Sequence, residues 1–242
     1  MRAAAALLAV LFAGAAHADC RELKFDGASF TACQVDPAAE DIRLWLRGPD
    51  GAILGTFDRV AELLSREGST LGIAMNGGMY HDDRRPVGHY VEDGVEAMRL
   101  VTNPGPGNFG LLPNGVLCLA PGRAAVLETL AYERARPDCR HATQSGPMLV
   151  IGGALHPRFL PGSTSRNIRN GVGVTGEGIL WMAISNEPVS FHHFARLFRD
   201  ALDAPDALYL DGSVSRLHAP GLGRHDPGLP MGPILGTAVP TD

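Results

Sequence analysis

From Asp19 onward, short apolar runs alternate with clusters of Gly, Pro, Asn and Asp. Nine of these runs have the length and boundaries of strands: Ile42–Leu46, Leu71–Met75, Val87–Val91, Gly115–Ala120, Met148–Ile151, Gly171–Val174, Gly178–Ser185, Ala207–Leu210 and Pro233–Val239. Two segments carry a helical period instead. Phe57, Val60, Ala61, Leu63 and Leu64 form one apolar stripe that stops before Gly68. Phe191, Phe194, Ala195, Phe198, Ala201 and Leu202 form another, with Ser190 at the N-cap and Pro205 just past the end. Many strands, few helices and no internal repeat or linker predict one α+β domain over residues 19–242: a mixed multi-stranded β-sheet core with a few flanking helices.

The first eighteen residues follow a different rule. Met1-Arg2 is a short basic start, Ala3–Ala16 is an apolar run, and Ala16-His17-Ala18 fits the A-x-A cleavage pattern, so residues 1–18 are expected to be a signal peptide. The run is short for a bilayer span and nothing later approaches one, so no transmembrane anchor is expected. Cys20 raises a lipoprotein alternative, but Asp19 stands where lipoprotein processing wants a small side chain. A periplasmic or secreted protein is the expectation.

Export gives the cysteines meaning. Cys20, Cys33, Cys118 and Cys139 are an even set for an oxidising compartment, and of three possible pairings the sequence-local one, Cys20–Cys33 with Cys118–Cys139, is favoured. Loops of this size would contribute roughly 3 kcal/mol each. A zinc site is the rival, but no C-x-x-C spacing occurs. Charge narrows the function further. Against 26 Asp plus Glu stand 21 Lys plus Arg, a net charge of −5, which excludes nucleic-acid binding through a broad basic surface. Lys24 is the only lysine, which removes Schiff-base and Walker-type lysine chemistry.

Candidate chemistry sits at strand ends. Leu71–Met75 runs into Asn76-Gly77-Gly78, where glycine permits a sharp turn and close approach of a ligand to the main chain; an ordinary hairpin turn is the alternative. Ala207–Leu210 runs into Asp211-Gly212-Ser213, placing a carboxylate where a strand leaves the core; an Asx-turn capping its own backbone is the alternative. Arg166 and Arg169 precede the strand at Gly171 and could converge on a phosphate or carboxylate, or form exposed salt bridges. Ser145 lies in a polar turn, Gln144-Ser145-Gly146-Pro147, without the spacing of a nucleophile elbow. His192-His193 are adjacent and diverge on a helix, and His81-Asp82-Asp83 reads as solvated loop, so neither metal nor other cofactor is expected. Trp45 and Trp181 fall in apolar strands and read as core.

The order of these motifs adds what none supplies alone. Asn76-Gly77-Gly78-Met79-Tyr80, Pro86-Val87-Gly88, Gly107-Asn108-Phe109, Ser145-Gly146-Pro147-Met148, Arg166–Val174 and Tyr209-Leu210-Asp211-Gly212-Ser213 together resemble the phosphodiester glycosidase family, most closely its bacterial exported members. The resemblance spans nearly all of residues 19–242. It implies hydrolysis of the glycosidic bond in a sugar phosphodiester, with Asp211 and Arg169 catalytic. It places substrate contacts at Asn76, Gly77, Gly78, Arg166, Gly212, Ser213 and Ser145. The family's triple glycine after the aspartate is reduced here to Gly212-Ser213-Val214, which bears on the sugar accepted. In such a substrate the leaving group is already a stable anion. The chemistry then needs a cation at the phosphoryl oxygens and a carboxylate near the anomeric carbon. Asp82, Asp83 and Glu187 are candidates for a second carboxylate. The rival from another class is a non-catalytic periplasmic protein that binds an envelope glycan or sugar phosphate; a metal-dependent phosphodiesterase is a third.

Overall fold

The computed structural model describes residues 18–241. The leader expected over residues 1–18 lies, apart from Ala18, outside them. The named strands form three sheets, and every ladder between them is antiparallel. The first sheet has seven strands in the order Asp19–Phe25, Ala28–Val35, Leu180–Ser185, Asn170–Val174, Asp206–Asp211, Met148–Ile151, Ala154–Leu155. The second runs Arg224–His225, Leu217–Ala219, Ser69–Asn76, Ile234–Pro240, Asp41–Trp45. The third runs Val95–Met98, Tyr90–Glu92, His141–Ser145, Gly115–Ala120, Arg123–Glu128. The α+β class and the single domain hold; the expected one mixed core resolves into three antiparallel sheets around a shared interior.

Strand alternation explains that interior. Leu180, Met182 and Ile184 point inward with Val172, Val174, Leu208 and Leu210, meeting Ile73 and Met75 of the second sheet and Leu117 and Leu119 of the third. The odd-phase residues Trp181, Ala183, Ala207 and Tyr209 point the other way, onto the helix Phe191–Arg196 and its π-helical continuation Leu197–Ala201. Glycines make that packing possible. A Cβ on Gly173 would lie 2.6 Å from Phe198, and one on Gly171 would meet Phe194 at 3.2 Å and the Leu208 carbonyl at 2.7 Å. Helix Phe57–Arg66, capped by Thr56, covers the second sheet through Phe57, Val60 and Leu64. Tyr132 of the short helix Thr129–Ala135 covers the third beside Cys118 and Cys139.

Both disulfides pair as expected, Cys20 with Cys33 and Cys118 with Cys139. Cys20 faces Cys33 across the first hairpin. That hairpin was absent from the apolar pattern because Asp19–Phe25 is an exposed, charged edge strand. Its signal lay in the two-residue turn Asp26-Gly27, whose φ values are +46° and +80°. His141–Ser145 was missed for the opposite reason. Its sequence is polar, yet every residue is buried. The run expected at Val87–Val91 enters its ladder only at Tyr90, because the His89 N–H donates to the Gln144 side chain instead.

Candidate active site

The ends of strands from all three sheets meet at one point. Asn170 lies directly opposite Asp211 in the first sheet, so Arg169 and Asp211, 42 positions apart in sequence, share one strand edge. Asn76 ends its strand in the second sheet and crosses to this edge. Its Nδ2 donates to Asn170 Oδ1 at 3.1 Å, its Oδ1 accepts the Arg216 N–H at 3.1 Å, and Asn170 Nδ2 donates to the Asn76 carbonyl at 2.9 Å. Thr143 of the third sheet donates to the Gly77 carbonyl at 2.8 Å, and Ser145 to the Leu210 carbonyl at 3.0 Å. Buried polar atoms in this junction are bonded across sheets, so the site's frame is rigid.

Asp211 is 8% exposed. Its Oδ1 accepts the N–H groups of Gly212, at 2.5 Å, and Ser213, at 2.8 Å, with a further side-chain bond from Asn76. The turn-capping alternative is therefore realised, and the carboxylate is held at the same time in a cradle of amides. Burial raises its pKa above the ordinary aspartate value and the amide donors oppose that rise. Tyr80 stands near it, its phenol pushed up by burial and by the Asp211 charge.

Arg169 is wholly buried. Nε donates to the Val189 carbonyl at 2.9 Å and Nη2 to the Ser165 carbonyl at 3.2 Å, while the guanidinium lies 3.6 Å over the Phe191 ring and 5.4 Å from that of Tyr209. Nη1 has no hydrogen-bond partner, and no carboxylate lies within ion-pair distance among the described residues. Burial lowers its pKa, and the Tyr209 hydroxyl counters that. Tyr209 sits two residues before Asp211 on the same strand face, its phenol well above the usual range and in contact with the side chains of Arg169 and Asn108. Gly212 leaves the room for it: a Cβ there would lie 2.1 Å from the Tyr209 hydroxyl oxygen.

The remaining expected residues divide. Ser213 is exposed beside Asp211, whereas Arg166 is exposed on the preceding loop and makes no contact with Arg169. The Gly77 N–H is taken by the Pro233 carbonyl at 2.7 Å. Gly78, at φ +146°, turns the chain against Thr143, where a Cβ would lie 2.7 Å from the hydroxyl. Ser145 is buried and faces the frame. Asp83 pairs with Arg85 on an exposed loop, and Glu187 accepts the Ser29 N–H at 2.8 Å, away from the Asp211 edge. No group of three or more His, Cys, Asp or Glu able to hold a metal ion occurs among the described residues, and no helix there is long and apolar enough to cross a membrane. Tyr209, Asn170 and Arg216 line the same strand edge, although the sequence pattern singled out no separate role for them. The period-two alternation from Asp211 points to the first, and the register of the Gly-Val-Gly-Val strand to the second.

The amide-cradled Asp211 carboxylate thus ends the same strand edge that carries the buried Arg169 guanidinium. The phosphodiester glycosidase family model matches residues 69–219, and the chain belongs to that family. It is 32% identical over 211 residues to the uncharacterized protein YigE of Escherichia coli (strain K12), covering 87% of this chain and 82% of that one. The fold is similar to the zebrafish N-acetylglucosamine-1-phosphodiester alpha-N-acetylglucosaminidase catalytic domain auto-inhibited by its pro-peptide (TM-score 0.61, 14% identity, 91% of this chain and 82% of that one). It is also similar to a hypothetical protein from Synechocystis (TM-score 0.60, 14% identity, 92% of this chain but 62% of that one). A putative exported protein from Burkholderia pseudomallei K96243 matches with TM-score 0.54 at 14% identity, over 87% of this chain and 74% of that one.

Proposed function

We propose that this protein is an exported hydrolase that cleaves the glycosidic bond of a glycosyl phosphodiester. The observation that carries the reading is the buried Arg169 cation, which lacks a carboxylate partner among the described residues and keeps Nη1 unsatisfied on the strand edge it shares with Asp211. An uncompensated buried charge costs several kcal/mol, and an anion bound nearby offsets that cost. In this reading the phosphoryl group sits over the Gly212–Ser213 turn, with Arg169 behind Tyr209 as the fixed positive charge that stabilises the departing phosphate. Asp211 faces the anomeric carbon, as nucleophile or as base for water. A leaving phosphate needs little protonation, so turnover does not require a second carboxylate as general acid. Two disulfides and a leader-like first eighteen residues support export to an oxidising compartment.

Hydrolysis of a panel of glycosyl phosphodiesters in H₂¹⁸O tests this. Cleavage at the glycosidic bond places the label in the released sugar. Label in the phosphate instead would make the protein a phosphodiesterase, and tight binding without turnover would make it a sugar-phosphate or glycan receptor.

A further inference from the structure

The second sheet ends in a small hairpin, Leu217–Ala219 with Arg224–His225, on which His218 and His225 stand directly opposite each other. Their Nδ1 atoms are 2.9 Å apart. His225 turns Nε2 toward Asp58 Oδ1, at 3.4 Å, in the first turn of helix Phe57–Arg66. The Leu71 backbone lies beside His218 on the neighbouring strand Ser69–Asn76. One Nδ1–H donates to the other Nδ1, and moving that proton to Nε2 would leave both Nδ1 lone pairs side by side as ligands. The Phe57 ring backs both imidazoles, 5.8 Å from each.

We propose that His218 and His225 are the protein ligands of a transition-metal site, distinct from the Asp211 cleft, that takes a divalent ion of tetragonal preference such as Cu(II) or Ni(II). The bite decides the class of ion. With metal–nitrogen bonds of about 2.0–2.1 Å, nitrogens 2.9 Å apart subtend about 90° at the metal, which is the angle of cis positions in a square-planar or octahedral ion. A tetrahedral zinc ion would want the nitrogens about 3.3 Å apart. The Asp58 carboxylate on the far side of His225 is the kind of outer partner that orients a metal-binding imidazole and raises its basicity. His225 is 44% exposed, so an ion reaches the pair from solvent and water completes its coordination. An ion here would tie together the two strands of the hairpin that follows Arg216.

Untagged protein titrated with Ni(II) by calorimetry, and with one equivalent of Cu(II) by electron paramagnetic resonance, tests the site. The expected results are one ion per chain, nitrogen superhyperfine coupling from two imidazoles, and a Tm that rises with Ni(II). His218→Ala and His225→Ala should each weaken binding more than tenfold, and Asp58→Asn by about tenfold. Should His218→Ala fold poorly, His225→Ala carries the same comparison from an exposed position. Wild-type affinity in His225→Ala overturns the proposal. So does a wild-type protein that binds neither ion, in which case a proton alone bridges the two rings.

Discussion

At the residue scale, Asp211 and Arg169 are both held at an energetic disadvantage, and that is measurable. Asp211 has a raised pKa, so its charge opposes folding at neutral pH. Asparagine keeps the Oδ1 acceptor for Gly212 and Ser213 and removes the charge. Asp211→Asn is therefore expected to melt at or above the wild-type temperature while losing turnover of a glycosyl phosphodiester. A clear drop in Tm with activity retained would assign Asp211 to the turn alone. Arg169→Met keeps an unbranched side chain in the buried slot and deletes a buried cation that has no carboxylate partner among the described residues, so stability should be held and kcat should fall by roughly 10²–10³. Arg169→Lys should recover little, because one ammonium cannot reproduce the planar fork that bonds Val189 and Ser165 together. Steady-state kinetics with thermal melts on the three variants separates these outcomes. Asp211 and Arg169 drew notice as charged residues at the edge of apolar runs, and the family resemblance supplied their expected roles. Tyr209 was not, since an aromatic within such a run looks like core until a partner for its hydroxyl is seen.

At the scale of elements, the strand Asn170–Val174 explains why its sequence alternates glycine and valine. The valines face the shared interior and the glycines admit the helix that follows Ser190. Gly173→Ala would push a methyl into Phe198 and Ala204, a clash that costs about 1–3 kcal/mol because both neighbours are buried. Denaturant titration should show that loss, and an unchanged midpoint would mean the helix stands off the sheet. Element boundaries were readable where burial was one-sided or complete. They failed at Asp19–Phe25, an edge strand with little to bury, and at Thr129–Ala135, where seven residues are too few to display a helical period. The helix at Phe191 was anticipated with its Ser190 cap, but not its change to π-helical winding at Leu197–Ala201.

At the scale of the whole molecule, buried histidines couple folding to pH. Burial lowers the His141 pKa to about 4, and His89 and His156 shift in the same direction for the same reason. Between an unfolded value near 6.5 and about 4, the unfolded chain binds a proton that the folded chain refuses. The stability present above pH 6.5 is thus lost as pH falls toward 4, by on the order of 2–3 kcal/mol for a histidine as buried as His141. Denaturation of wild type and His141→Gln at pH 7.5 and 4.5 checks this. The gap between the two proteins should shrink at the lower pH, and a constant gap would remove His141 as the source.

The sequence alone determined the α+β class, most strand positions and the disulfide pairing, which follow from local periodicity and loop length and act over a few residues. Its motif order, through the family resemblance, singled out Asp211 and Arg169 for the proposed chemistry. Tertiary structure alone decided that the strands divide into three antiparallel sheets, and that Asn76, Asn170 and Thr143 lock those sheets together at the cleft. It also withdrew Gly77 and Ser145 from open positions by giving their polar groups partners on other strands. Whether a hydroxyl or amide is free for a ligand depends on which distant strand lies beside it, and partners 65 to 156 residues apart leave no periodic trace in the chain.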